Sequence, residues 1–526
     1  MRAFCGPFTF PAETPNPRGT AAPEPYGYRG ARIRPPRVRV DSAVNARQNP
    51  SMSDPLNAPV AQDRLAALRE LVSRSDSSPG APYRVRAELV LAYSADSAPP
   101  YSVDSAPPYS VDSAREVNCH VHTIYSFSPY SPTAAAARAR AAGLAAVGIM
   151  DHDSIAGAGE MREAGRILRL ATTAGVELRV SAAGTRLEGR KINSPDSEGV
   201  MYVMMHGVPA RSVPALRAFL RPLQAARELR ERRMVERLNS LLPGYGLAPL
   251  DWQNDVRAAS CVEEGGTITE RHILLAVART IVEKTGRGEP LAAFLRTTLG
   301  IVPPARVVEY LADPGNDFLF FDLLGVLKSS FIEKVFIQPD TEECIPVLRA
   351  VRFAEEIGAI PCYAYLGDIT DSPTGDKKAE RFEDGYLDEL MVEAGKLGFR
   401  AIAYMPPRNT LEQLRRVQKL CARHGFMEIS GVDINSPRQS FNCPELLLPE
   451  FSHLIDATWA LIAHERLADC EDRYGLFRSD NPLAALPLGE RIAAYAEVGR
   501  TLDPSDPGPA DVHPVVKSWK NRSSGG

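Results

Sequence analysis

Two histidines stand one residue apart in the stretch "NCHVHTIYSFSPYSP". His120 and His122 end a short apolar run that is typical of a β-strand. Residues i and i+2 of a strand project to the same face. The two imidazoles can therefore bind one ion from one side, held by a rigid element.

Helix-like and strand-like segments alternate from residue 116 onward. The stretch "SPTAAAARARAAGL" predicts a helix with Ser131 as its N-cap and Pro132 in its first turn, and it leads into the apolar strand "AAVGIMDH". Three more helix–glycine–strand units occur late in the chain, with the strands "AIPCYAYLGD", "FRAIAYMPPR" and "FMEISGVDIN". Strands this apolar predict a parallel sheet, and so many units favour a (β/α) barrel over an open sheet.

The functional residues of such a barrel gather at the carboxyl ends of its strands. In this sequence the residues expected there are His120, His122, Asp151, His152, Asp153, Glu177, His206, Tyr365, Asp368, Arg408, Asp433 and Asn435. Imidazole and carboxylate ligands together suit Zn, Mn or Fe. A lone pair of histidines is common by chance, but imidazole and acidic clusters at four successive strand ends predict a divalent metal site.

The same residues resemble the successive motifs of a known superfamily. The segments "HVHTIYSFSPYSP", "GLAAVGIMDHDSIAGAGEM", "GVE" and "NTLEQLRRVQKLCARHGFMEISGVDIN" resemble the HxHT, TDHDT-like, GxE and GSDxH motifs of the PHP (polymerase and histidinol phosphatase) superfamily. The resemblance covers about residues 117–440. It implies an α/β fold, namely a distorted seven-stranded TIM-like PHP barrel, with a cluster of up to three divalent metals and phosphoester hydrolysis as the usual activity.

The resemblance also implies roles for individual residues. One complete metal site is expected from His120, His122, Glu177 and Asp433, and His206 matches a further ligand that follows a long loop. His152 matches the histidine of the second motif, and "TITERHILLAV" resembles a helix whose histidine, here His272, lies near the substrate. The residues expected to act in catalysis are Glu177, His152, His272 and Arg438.

Three positions depart from the superfamily's pattern. Phe127 replaces an acidic residue, Tyr365 replaces a histidine, and Asn435 replaces the last histidine. Phe127 and Asn435 both fall on the third metal site of the superfamily, which leaves only His152 there. We therefore expect one complete metal site and a weakened second site, but no third site.

A phosphoester substrate also needs cations for its oxygens. Arg408 and Arg438 follow strand ends, and Lys377 and Lys378 lie in the polar loop "TGDKKAERFED". Arg438 is favoured because it lies close in sequence to Asp433. The substrate-binding residues expected are Arg408, Tyr365, Asp368, Asn435 and Lys377.

These observations predict a metal-dependent hydrolase, namely a phosphoesterase acting on a small phosphorylated molecule, with water activated by a mono- or dinuclear centre. Two alternatives stay open. One is an amidohydrolase-type metal hydrolase, although the middle strands lack the two further histidines that this chemistry usually uses. The other is a barrel that has lost catalysis and keeps a metal for structure or ligand binding.

The 526-residue chain divides by composition. Residues 1–114 are rich in Pro, Arg, Ser and Ala, contain the tandem repeat "YSADSAPP YSVDSAPP YSVDSA", and predict a largely disordered extension with one short helix at 63–74. Met52 is a possible alternative start. Residues 115–526 are expected to form the barrel, with insertions at about 185–199 and 208–335 and a helical region at about 449–526.

Bulk composition gives no sign of other partners. The formal net charge of −4 does not indicate a nucleic-acid or membrane partner. No apolar run approaches the roughly 18 residues of a membrane span, and the first residues lack the apolar core of a secretory signal. A cytoplasmic protein with reduced cysteines is expected. The sequence does not indicate an oligomeric state.

Overall fold

A computed structural model of the chain describes residues 116–369, 380–506, 508–510 and 513–522. The predicted N-terminal extension at 1–114 and the predicted substrate residue Lys377 lie outside the described residues.

Seven strands form one sheet in the order in which they occur in the chain. The strands are β1 (Val117–Val121), β2 (Ala146–His152), β3 (Ala171–Ser181), β4 (Val200–His206), β5 (Ile360–Ala364), β6 (Ala401–Tyr404) and β7 (Met427–Ser430). The sheet curls until its two edges meet. Val121 forms a parallel bridge with Ile434, and the amide of His122 donates to the carbonyl of Ile434 at 2.9 Å. The fold is therefore an α/β barrel, as the sequence predicts.

One strand departs from the parallel sheet expected from the sequence. Strands β1, β2 and β3 pair in parallel, as do β5, β6 and β7, but β4 pairs antiparallel with both β3 and β5. Residues 182–199 join β3 to β4 as a loop without a helix. A parallel pair would need a crossover connection that returns the chain to the other end of the sheet, so β4 runs antiparallel to β3. The expected parallel pairing is found among the other six strands, and β4 is the exception, because its apolar composition carries no information about direction.

Helices surround the barrel in three groups. The first group alternates with the strands: α1 (Pro132–Ala141), α2 (Ala158–Leu168), α8 (Val347–Glu356), α9 (Leu387–Leu397) and α10 (Leu411–His424). The second group lies between β4 and β5: α3 (Val213–Leu241), α4 (Glu270–Thr285), α5 (Glu289–Thr297), α6 (Ala305–Ala312) and α7 (Leu319–Ser330). The third group follows β7: α11 (His453–Cys470), α12 (Leu488–Thr501) and α13 (Pro514–Arg522).

Local sequence explains where several of these helices begin and end. The hydroxyl of Ser131 accepts from the amide of Ala134 at 3.1 Å, which caps α1 as predicted. Thr410 and Gln413 form a reciprocal capping box at the start of α10. Gly425 ends that helix with φ of 72°, a left-handed conformation that a side chain would strain.

Residues 213–337, here called the helical insertion, have an apolar core of their own. Its buried side chains come from α3, α4, α5 and α7 and include Met234, Ile273, Leu295 and Leu323. Phe127, from the loop after β1, packs into this second core rather than into the core of the barrel. The insertion is thus anchored to the loop that follows the two histidines.

Among the described residues, no helix is both long and apolar enough to cross a bilayer.

Candidate metal centre and substrate cavity

Four barrel strands bring imidazole and carboxylate side chains to one point. The Nε2 atoms of His120 and His122 lie 3.2 Å apart, and Asp433 Oδ1 lies 3.1 Å from His122 Nε2. Glu177 Oε2 lies 3.8 Å from both of these nitrogens and 3.0 Å from His152 Nδ1. Two overlapping groups have suitably close ligand atoms, His120–His122–Asp433 and His122–His152–Glu177, and His122 belongs to both.

The backbone explains why Glu177 and His152 meet. Glu177 of β3 is the register partner of His152, the last residue of β2. Its other neighbour is Met204 of β4. Side chains of paired residues on adjacent strands point to the same face, so the carboxylate and the imidazole both enter the barrel mouth.

His206 lies at a different position along the barrel axis from the one expected from the sequence. Because β4 runs antiparallel, His206 pairs with Ile360, the first residue of β5, and does not lie at the strand ends where the other candidates gather. Its side chain still lines the cavity, and it is 2% exposed. Its Nε2 has no hydrogen-bond partner among the described residues. A buried imidazole nitrogen without a partner is costly, but His206 is in neither group of close ligand atoms. The imidazole nitrogens and carboxylate oxygens of those two groups fit a bound divalent metal.

The electrostatics of the cluster keep its carboxylates charged. Burial would raise the pKa of Glu177, but His152, His120 and His122 outweigh it and lower the pKa to about 2. Burial also opposes ionisation of Asp433, yet His122 and His120 hold its pKa well below the usual range. Burial lowers the pKa of His152 to about 3, so its imidazole is neutral at pH 7. Ionised carboxylates and neutral imidazoles are the forms that bind metal. Burial would lower the pKa of His122, but Asp433, Glu177 and Asp151 raise it, so metal binding there would displace a proton.

Asp151 organises the loop that follows β1. Its carboxylate is fully buried and accepts from the amide and hydroxyl of Thr123, both at 2.6 Å, and from the Ser126 hydroxyl at 2.6 Å. The Ser126 hydroxyl oxygen lies 3.3 Å from Nδ1 of His122. Asp151 therefore positions His122 through Ser126, as the outer partners of metal-binding histidines commonly do.

Replacing Asp151 with Asn is expected to weaken metal affinity roughly 10- to 100-fold, because outer partners of metal ligands contribute that much. The NH2 group of the Asn side chain cannot accept a hydrogen bond, so the hydroxyl of Thr123 or Ser126 loses its acceptor. Titration of the metal-free protein with Mn²⁺ measures the change. Ser126→Ala, which removes one of the three donors, should have a smaller effect in the same direction. An unchanged affinity in Asp151→Asn contradicts this role.

The cluster opens into a cavity of about 570 Å³, a size suited to a small-molecule ligand. Barrel residues form one side of the cavity, and the helical insertion contributes the other through Arg227, Glu270, Arg271, Lys328, Ile332 and Phe336. Phe127 also lines the cavity.

Two of the predicted substrate residues, in the loop that follows β5, make local contacts. Tyr365 lines the cavity, but its hydroxyl donates to Asp384 Oδ1 at 2.6 Å. The Asp368 carboxylate accepts from the amide of Phe382 at 2.6 Å, and Asp368 is not among the residues that line the cavity. Tyr365 is thus placed to contact a ligand, whereas Asp368 holds its own loop together.

The two predicted arginines both line the cavity. Arg438 donates to both carboxylate oxygens of Asp322, at 2.6 and 2.8 Å, and its guanidinium lies 3.8 Å from the ring centre of Tyr310. Arg408 Nε donates to the carbonyl of Leu366 at 3.2 Å. Arg438 therefore links the β7 side of the barrel to the helical insertion. The hydrogen bond from Arg408 to Leu366 holds Arg408 at the cavity wall.

His272 does not reach the cavity, in contrast to the sequence expectation. It is 2% exposed, and its Nδ1 accepts from the backbone amide of Thr269 at 3.0 Å, so it caps its own helix. Its ring packs edge-on against Phe127 at 4.9 Å. The side chains of the neighbouring residues Thr269, Glu270 and Arg271 line the cavity instead. The first turn of α4 does face the site, but a different side chain enters it.

Sequence reasoning missed several cations of the cavity wall. Arg179 follows Glu177 by two residues on β3 and therefore shares its face, a signal that the sequence contained. Arg227, Arg271 and Lys328 come from the insertion. Nothing in the local sequence relates these three to the barrel mouth.

A buried ionic network lies behind this wall. Glu343 accepts from three arginines: Arg179 Nη2 at 2.7 Å, Arg227 Nε at 3.0 Å and Arg230 Nε at 2.6 Å. Glu270 accepts from Arg179 at 3.1 Å and from Arg230 at 2.9 Å. The network joins β3, the long helix α3 and the segment before α8, so it fixes the insertion against the barrel.

Comparison with known proteins gives distant likenesses. No protein-family model matches the sequence, and no curated protein matches it. Among solved structures, the chain is similar to a Bifidobacterium adolescentis protein provisionally described as a metal-dependent phosphoesterase, with 19% identity, a TM-score of 0.41, and coverage of 62% of this chain and 91% of that one. It is also similar to an amidohydrolase from Chromobacterium violaceum with bound sulfate and no metal, with 19% identity, a TM-score of 0.40, and coverage of 64% and 95%. Values this low establish neither a family nor an activity for this chain.

Proposed function

We propose that this protein is a metal-dependent hydrolase that acts on a small phosphorylated molecule. The observation that carries the proposal is the convergence of His120, His122, Glu177 and Asp433 at the mouth of a cavity with basic walls. A divalent metal held by these residues would act as a Lewis acid that activates water and withdraws charge from a phosphoryl group.

The charge of the cavity wall supports an anionic substrate. Six basic side chains line the cavity, Arg179, Arg227, Arg271, Lys328, Arg408 and Arg438, against four acidic ones, Glu177, Asp196, Glu270 and Asp433. Two of the acids are metal-ligand candidates, so a divalent ion would offset their charge. Among the lining side chains the remaining balance is positive, although Glu343 and Asp322 behind the wall partly offset Arg179, Arg227 and Arg438. A positive lining favours a substrate with a dianionic group such as a phosphate.

His152 is suited to accept a hydrogen bond from an attacking water. Its Nδ1 lies 3.0 Å from Glu177 Oε2, and an ionised carboxylate only accepts hydrogen bonds. Nδ1 therefore carries the hydrogen, and Nε2 is left with a lone pair. Nε2 can therefore accept a hydrogen bond from an attacking water and orient it. Because burial lowers the pKa of His152 to about 3, it is a weak general base in this environment.

Two other functions remain as alternatives. A barrel that retains metal without catalysis is favoured by the Tyr365 hydroxyl, which donates to Asp384 where the superfamily's pattern has a histidine. An amidohydrolase would use the same first-strand histidines on an amide substrate. The basic walls favour the phosphoesterase over both.

The test is elemental analysis of the purified full chain together with hydrolysis assays in Mn²⁺, Zn²⁺ and Mg²⁺. The panel contains small phosphomonoesters, phosphodiesters and amides. We expect at least one ion per chain and hydrolysis of a phosphoester, which Asp433→Ala abolishes. Inactivity toward every phosphoester, with Asp433→Ala changing only the metal content, contradicts the proposal and favours the non-catalytic alternative.

A further inference from the structure

Arg271 connects the helical insertion to the metal-ligand cluster. It lies in the first turn of α4 and lines the same cavity as His120, His122 and Glu177. Its Nη1 donates to Asn435 Oδ1 at 2.9 Å, and Asn435 Nδ2 donates to Asp433 Oδ1 at 2.7 Å. A guanidinium, an amide and a carboxylate thus form a chain that ends on a metal-ligand candidate.

The position of Arg271 is unfavourable for the helix and for a metal. A cation in the first turn of a helix opposes the helix dipole, which favours negative charge there. Its charge also repels any cation bound by Asp433, and the two groups are near enough for Arg271 to contribute to the low pKa of Asp433. A side chain whose charge is locally unfavourable and which lines a cavity commonly takes part in ligand binding. The positive charge of Arg271 would stabilise a bound anion.

Asn435 separates the two charges that it joins. A direct ion pair would occupy Asp433 oxygens with a guanidinium, in competition with a metal. The amide instead satisfies one oxygen of Asp433 with a neutral donor and orients Arg271 with a neutral acceptor. Asp433 stays available to a metal while Arg271 is held beside it.

We propose that Arg271 binds a phosphoryl oxygen of the substrate next to the metal centre, and that Asn435 positions it. This inference rests on the proposed function for the class of substrate. It makes the helical insertion part of the substrate site, with a charge-assisted hydrogen bond in the place where the superfamily's pattern predicts a third metal.

The experiment measures the affinity of the Mn²⁺-loaded full chain for inorganic phosphate by calorimetry, with metal content determined on the same samples. Arg271→Gln is expected to weaken phosphate binding about tenfold or more, the usual range for a hydrogen bond from a charged group, while metal stoichiometry stays at the wild-type value. Arg271→Lys keeps the charge and should recover most of the affinity. Arg279→Gln, on the same helix but not lining the cavity, is the matched control and should bind phosphate normally.

Asn435→Asp tests the positioning role. An aspartate there pairs directly with Arg271, so phosphate affinity should fall although Arg271 is intact. The inference is overturned by a metal-loaded wild type that does not bind phosphate, by unchanged affinity in Arg271→Gln, or by loss of metal in parallel with loss of phosphate. If phosphate binding depends on Arg271 but no phosphoester is hydrolysed, the proposed function fails and the anion site stands.

Discussion

Replacing His122 with Ala is expected to remove all bound metal and reduce hydrolysis to background. His122 is the residue common to both groups of potential ligands, His120–His122–Asp433 and His122–His152–Glu177. It is 1% exposed, and its replacement by Ala removes one ligand from each group. We expect metal affinity to fall on the order of 100-fold or more, above the range for outer partners of metal ligands.

Two further variants separate the groups. Asp433→Ala disrupts the first group and leaves the second intact, whereas His152→Ala does the reverse. If the centre is dinuclear, each of these variants should lose one ion while His122→Ala loses both. If it is mononuclear with the four ligands that the sequence predicts, Asp433→Ala should lose the ion and His152→Ala should keep it with reduced turnover.

Elemental analysis and Mn²⁺ titration give the ion counts, and circular dichroism checks that each variant is folded. His424→Ala is the matched control, because His424 ends the outer helix α10 and does not line the cavity. Wild-type metal content in a folded His122→Ala protein would show that the cluster is not the metal site.

Replacing Glu343 with Gln is expected to destabilise the protein by about 3–5 kcal/mol, the usual cost of breaking a buried ion pair from one side. The Glu343 side chain is 2% exposed and accepts from Arg179, Arg227 and Arg230. Without its charge, three buried guanidinium groups share the remaining acids. The NH2 group of the glutamine side chain would also face the N–H groups of the arginines, and two donors cannot form a hydrogen bond with each other.

The same change should affect the site. Arg179 and Arg227 line the cavity, and both donate hydrogen bonds to Glu343. We therefore expect weaker phosphate binding in Glu343→Gln even under conditions in which the protein remains folded. Urea unfolding measures the stability and calorimetry the binding. Glu355→Gln is the matched control, because Glu355 pairs with Arg400 at an exposed site, with side chains 41% and 45% exposed, and such pairs contribute about 1 kcal/mol or less. Equal stability losses in the two variants would contradict the importance of the buried network.

Much of the barrel can be predicted from local sequence. Period-two spacing places His120 and His122 on one face, and the runs around Ser131 and Gly425 carry the capping signals that begin and end helices. Each strand end can then be located, and parallel strands bring their ends together. The expectation that Glu177, His152 and Asp433 meet the two histidines follows from this rule, and the structure does place each of them within 4 Å of at least one other member of the cluster.

The failures share one cause, which is that local sequence does not encode direction or distant contacts. The apolar run of β4 does not indicate the direction of the strand, so the sequence does not predict the position of His206 along the barrel axis. The sequence associates the helix of His272 with the site. The first turn of that helix lines the cavity through Arg271, whereas His272 packs against Phe127.

By itself, the sequence determined the α/β barrel, the two histidines on its first strand and the set of candidate metal ligands, because these depend on periodicity and strand ends. The tertiary structure alone decided the second half of the cavity. Asn435 and Arg271 are separated by 164 positions and Glu343 and Arg179 by the same number. Contacts over such distances depend on how the insertion packs on the barrel, which no local pattern records.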